Sequence, residues 1–189
     1  VEELDRAAAG RGVFSVASDR VDGIVRRVSM MVTDSEGIFP SLSLEAIRIF
    51  KNGRTVIAKT NEGGSVESII LQILRPVREN IEISTDAFSR IWVYYTPHSE
   101  YVSQYVSAAD VMLDRVDPNR IKDKIVFVGT SSQGLFDVQA TPLDAALPGV
   151  EVHANIVENI LTDTQLTRPL EADTLEVFAA IVIGIIMIV

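Results

Sequence analysis

The chain contains no cysteine, which removes disulfides and thiolate-held metals from consideration and leaves the redox compartment open. Histidine is scarce as well: His98 and His153 are the only two, and no ligand spacing links them, so no metal site is expected. Basic residues are outnumbered, 17 against 26 acidic, for a net charge of −9. That balance leaves no face to neutralise phosphates, so no nucleic-acid partner is expected, and it disfavours docking on anionic lipid through charge. Aromatic residues are only 6% of the chain, and no basic residue is interleaved with Trp92, Tyr94, Tyr95, Tyr101 and Tyr105. These read as packing and loop anchors in place of a base-stacking platform. The dinucleotide pattern G-x-G-x-x-G is missing. Gly129 and Gly134 have P-loop spacing, but Leu135-Phe136 stand where Lys and Ser or Thr would hold phosphate and magnesium. No internal repeat or low-complexity tract is present.

What the chain does have is an uninterrupted apolar run, Val177–Val189, with no charged or hydrogen-bonding side chain. It is apolar on every side instead of on one stripe, which points to the start of a membrane-spanning helix over residues 172–189; a buried core element is the alternative. Val1 is not an initiator methionine, so the expectation is a piece of a longer membrane protein. Glu171, Asp173 and Glu176 precede the run. Cytoplasmic flanks favour Lys and Arg, so these acids favour an outside location for residues 1–169. Those residues, 47% hydrophobic and 23% charged over the whole chain, are enough for one globular domain with its own core.

Alternation and turn signals predict strands at Val13–Ala17, Arg26–Val32, Thr55–Lys59, Ile81–Ile83 and Ile91–Tyr95. Ser41–Phe50 has helical spacing after Pro40, Ala108–Leu113 reads as a short helix, and Val66–Leu74 is ambiguous until Pro76 ends it. The strongest unit is Lys124-Ile-Val-Phe-Val-Gly129, whose four consecutive apolar residues predict a strand buried on both faces, as in a parallel sheet covered by helices. Glu151–Leu161 follows as a helix with the stripe Val152, Ile156, Val157, Ile160 and Leu161, and 162–169 reads as a linker. The expected fold is α/β: a layered mixed sheet with flanking helices, followed by the start of a transmembrane helix.

In such folds ligands gather at the carboxyl ends of strands, which directs attention to the loop after Gly129. The candidate ligand-binding residues are Thr130, Ser131, Ser132, Asp137, Thr141 and His153. The plainer reading, a turn whose hydroxyls satisfy the backbone, is favoured over a ligand cradle. A serine hydrolase built on Ser131, with Asp137 or Asp144 and His153, is the enzymatic alternative. It is weak, because Gln133 takes the last glycine position of G-x-S-x-G and the acid and base fall too close together. His153 lies on the apolar stripe of its helix, where a core histidine is the ordinary outcome.

Three blocks carry a resemblance: Lys124-Ile-Val-Phe-Val-Gly-Thr-Ser-Ser-Gln-Gly-Leu-Phe-Asp137, Ala140-Thr-Pro-Leu143, and Pro148-Gly-Val-Glu-Val-His-Ala-Asn155. With Asp19, Asp22-Gly23 and Arg26-Arg27 upstream, and with Ser41–Leu44 and Tyr105–Val111, they resemble a bacterial sensory domain, the second type of the CHASE group, from about Gly12 to Pro169. The resemblance implies an extracytoplasmic or periplasmic sensor in the cell inner membrane, responding to a small-molecule or environmental signal. It implies a downstream class III adenylate or guanylate cyclase or a protein kinase, with no catalysis and no cofactor in this part. A structural domain that only forms a homodimer is a further alternative. Two departures stand out: the first half of the usual domain is missing, and Ser89 stands where a turn glycine is common, which predicts a different turn there.

Overall fold

The computed structural model describes residues 2–17, 19, 21–35, 37–73, 79–130, 137–169 and 172–188. After a short helix α1 (Glu2–Ala7), the strands β1 (Arg27–Ser29), β2 (Met31–Asp34) and β3 (Gly37–Pro40) lead into helix α2 (Leu42–Phe50). The Ser41 hydroxyl caps α2 by accepting from the Leu44 N–H at 3.2 Å, as its position after Pro40 predicts. Leu44 and Ile47 are fully buried on its inner face, while Glu45 is paired to Arg48 at 2.6 Å. Asn52, in the left-handed region at φ 52°, turns the chain into β4 (Gly53–Thr60).

Strands β4, β5 (Val66–Ile73) and β6 (Glu79–Ser84) form a three-stranded antiparallel meander in that order. Ile69, Leu71, Ile73 and Ile83 point into the core, while Glu67, Glu82 and Ser84 are outside, so the sheet buries one face. The ambiguous segment is therefore strand over Val66–Ile73, with Leu74 outside the described residues. Next come β7 (Arg90–Trp92), α3 (His98–Tyr101), α4 (Ala108–Met112), β8 (Val138–Gln139), β9 (Leu147–Pro148), α5 (Gly149–Leu161) and α6 (Ala172–Ile188). Strand β1 pairs with β7, β2 with β3 and β8 with β9, all antiparallel.

The layered mixed sheet is thus corrected to four small antiparallel sheets among the described residues, with parallel pairing confined to the isolated bridges Val13–Ser41 and Ile24–Ala140. The larger strands are joined by short turns, and a parallel ladder needs a crossover of a dozen residues or more. Val13–Ala17 contributes the Val13 bridge instead of a strand. The segment 125–128 is extended but has no ladder partner among the described residues. Ile125 and Phe127 pack against the core, whereas Val126 is 51% and Val128 89% exposed. Its run of four apolar residues serves one face, so the expectation of burial on both faces fails.

A single core joins the elements: Val28 beside β7, Leu44 and Ile47 of α2, Ile69 and Leu71 of β5, and Val152, Ile156 and Ile160 of α5. Full burial of each such side chain stabilises by about 1.5–3 kcal/mol relative to exposure. At the turn into β7, Ser89 is buried at φ 63°. The turn therefore keeps the backbone conformation a glycine supplies freely, and the serine holds it under strain, its hydroxyl without a partner among the described residues. From Val177 onward helix α6 is apolar all round, with Phe178 66% and Ile183 58% exposed. Among the described residues no helix is long and apolar enough to cross a membrane.

Candidate functional site

Helix α5 organises the polar chemistry of the molecule. Its sequence carries the expected apolar stripe, and beside it a second stripe, Glu151, Asn155, Glu158 and Asn159, at the same helical spacing. Each member meets a partner on the chain between 94 and 105. The Asn159 amide accepts from the Tyr94 N–H at 2.8 Å and donates to the Tyr94 carbonyl at 3.0 Å. Asn155 accepts from the Thr96 N–H at 2.8 Å. These amides complete a backbone that lies beside a helix and has no neighbouring strand there, as buried N–H and C=O groups require.

Further toward the helix start, Glu151 is 3% exposed and its Oε2 takes His98 Nδ1 at 2.8 Å and the Tyr105 hydroxyl at 2.5 Å. Its Oε1 is buried without a partner among the described residues. Two turns further along the same stripe, the Tyr101 hydroxyl donates to Glu158. Burial, with these carboxylates behind it, pushes the Tyr101 and Tyr105 hydroxyls well above the ordinary tyrosine range. His98 also meets Tyr105 edge-on, with ring centroids 5.8 Å apart. The cluster fastens α3 and the turn after it to α5.

Of the residues expected to bind a ligand, Thr130 ends the extended segment after Phe127 and is exposed. Ser131 and Ser132 lie outside the described residues, and with them the nucleophile of the hydrolase alternative. Asp137 accepts the Gly149 N–H at 2.9 Å, and its carboxylate lies against Gly149 at the head of α5. Gly129 packs on Val150, where a side chain at 129 would overlap the valine. The fold therefore brings Gly129, Asp137 and His153 to the first turns of α5. Thr141 belongs to a separate turn, donating to the Asp144 carbonyl and accepting the Asp144 N–H, both at 3.0 Å.

His153 is 2% exposed and both ring nitrogens are engaged, Nδ1 with the Ser43 hydroxyl at 2.8 Å and Nε2 with the Phe14 carbonyl at 2.9 Å. Burial holds its imidazole below the usual histidine range, although the Phe14 carbonyl and Asp137 pull the other way. It ties α5 to α2 and to the N-terminal segment. Among the described residues no group of three or more acidic, histidine or cysteine side chains is placed to hold a metal ion.

The sequence reading missed His98, Glu151 and Glu158. The signal was there in the second stripe of α5, where polar residues repeat at the spacing that marks an inward face.

The model of the CHASE2 domain matches residues 2–189, so the chain belongs to the CHASE2 family. CHASE2 is an extracellular sensory domain of signalling proteins and is not catalytic. No curated protein and no solved structure matches the chain.

Proposed function

We propose that this chain is the extracytoplasmic sensor region of a membrane-bound bacterial signalling protein, controlling a class III adenylate or guanylate cyclase or a protein kinase on the inner side. The observation that carries the reading is the placing of the core and the segment 162–169 beside α6, which is apolar on every side from Val177 onward. Helix α5 is keyed to the core by apolar and polar contacts alike. The segment 162–169 then crosses β7 through a bridge between Leu166 and Trp92, and Arg168 pairs with Glu176 of α6 at 2.9 Å. A change of arrangement in the domain reaches the helix that would enter the inner membrane through these two contacts. A signal acts by binding one arrangement better than another.

This chain has no cysteine of its own, so a single cysteine placed in it reports its location once any cysteine elsewhere in the parent protein is replaced. In the parent protein, Leu143→Cys at a 59% exposed position should react with a membrane-impermeant maleimide in intact cells. Reaction only after lysis would place the domain in the cytoplasm and overturn the proposal.

A further inference from the structure

A cavity of about 420 Å³ opens beside the β1–β7 ladder, with Asp19, Arg26, Arg27, Ser29, Phe88 and Arg90 on its walls. Its size suits a small molecule. In a chain of net charge −9, three guanidinium groups meet three carboxylates there, Asp19, Asp22 and Asp86, so the patch is locally balanced and its chemistry rests on how each arginine is occupied.

The three arginines are not equally occupied. Arg26 is held by Asp22 through both terminal nitrogens, at 3.1 and 2.7 Å. Arg90 gives its Nε and one terminal nitrogen to Asp86, at 2.8 and 2.7 Å. Arg27 has a single hydrogen bond among the described residues, to Asp86 at 3.4 Å, and its contact with Asp19 is 3.7 Å. Its guanidinium carbon instead lies over the Trp92 ring, 4.9 Å from the ring centre. Five donors in a rigid planar fork, stacked and half-buried at 29% exposure, are thus left mostly unused. A carboxylate matches that fork.

The remaining wall sets the rest of the ligand. Phe88 is 73% exposed, an apolar ring kept beside the cavity with Arg90 stacked on it at 4.9 Å. Asp19 places a negative charge close to the anion position, which disfavours a dianion more than a monoanion. We propose that this cavity binds a small organic monocarboxylate, its carboxylate forked onto Arg27 and its apolar, ring-sized body against Phe88. The same Trp92 that carries Arg27 is bridged to Leu166 in the segment leading to α6, so occupancy is felt where the domain leaves its core.

Trp92 is the only tryptophan in the chain and reports on the site directly. The full chain, in detergent micelles at low ionic strength, is titrated with phenylacetate, acetate and inorganic phosphate while Trp92 fluorescence is followed. Phenylacetate should give a saturable change, with acetate about tenfold weaker and phosphate also weaker. Arg27→Gln should weaken phenylacetate by about tenfold or more, as expected for loss of a charge-assisted fork. Should that variant not fold by circular dichroism, Phe88→Ala, on an exposed ring outside the core, decides: it should weaken phenylacetate several-fold and leave acetate unchanged. No saturable change with phenylacetate, tighter binding of phosphate, or wild-type affinity in a folded variant would reduce the cluster to an ion-pair network and overturn the proposal. The titration reads binding alone, so its outcome is independent of the maleimide test of the sensor reading.

Discussion

Helices α5 and α6 are both rich in Ile and Val, yet they have opposite fates. Nine residues of α5 are buried, polar ones among them, and its polar stripe ends on named partners: Asn159 on Tyr94, Asn155 on Thr96, Glu151 on His98 and Tyr105. Helix α6, longer at 17 residues, leaves its large side chains exposed on every side. Apolar side chains ask only for an apolar environment, whereas a buried amide or carboxylate asks for a particular partner at a particular distance. The domain therefore specifies where α5 sits. For α6 the described residues show the ion pair Arg168–Glu176 and leave the apolar faces to other surroundings.

The comparison breaks most sharply on matched isoleucines. Ile156→Ala, at a fully buried position of α5, should cost about 2–5 kcal/mol, while Ile183→Ala in α6 should stay within about 0.5 kcal/mol, both read by urea denaturation. Equal losses would mean that α6 is part of the same core. Next in size, Asn159→Ala strands the N–H and carbonyl of Tyr94 and should cost about 2–4 kcal/mol by the same measurement. A neutral result would mean that water replaces the amide and that the polar stripe has no structural role.

Titration sharpens the contrast further. Because burial holds His153 below its ordinary 6.5, the unfolded chain takes up the proton first as pH falls. That contribution is complete above about pH 6.5 and is lost as pH falls from there through the folded value, so the melting temperature should drop on acidification. His153→Gln should flatten this part of the profile; an unchanged slope would remove His153 as its source. At the other extreme, Tyr95, Tyr101 and Tyr105 are raised chiefly by burial, so the unfolded tyrosines ionise first and stability should fall as pH rises beyond about 10. The smallest effect lies away from both helices. Ser89→Gly, which relieves a left-handed serine and removes a buried orphan hydroxyl, should stabilise by about 0.5–1 kcal/mol in thermal melts. Destabilisation would show that the serine side chain holds the turn.

Much of this was legible from periodicity. The helices at α2 and α5 and the strand at Thr55–Lys59 follow from alternation and turn chemistry, which are local. What failed was non-local. The run 124–129 has the composition of a doubly buried strand, but whether a second layer covers Val126 and Val128 depends on chain far away in sequence. His153 was legible as a core histidine from its place on the stripe, while its partners, Ser43 and Phe14, were not. Likewise Arg26 and Arg27 lie more than 60 residues from Arg90 in sequence, and only the β1–β7 pairing, which sets Arg27 opposite Trp92, puts them around one cavity.

The two asparagines of α5 have a mechanical consequence. Residues four apart on a helix are separated by about 6 Å along its axis, and residues two apart on an extended chain by about 6.6 Å. Asn155 and Asn159 thus mesh with Thr96 and Tyr94 like teeth on a rack of matching pitch. A slide of one residue, about 1.5 Å, disengages both teeth together, and the next meshing lies a full tooth away. Creep along the axis is forbidden to this helix. It carries the neighbouring segment with it, or it jumps.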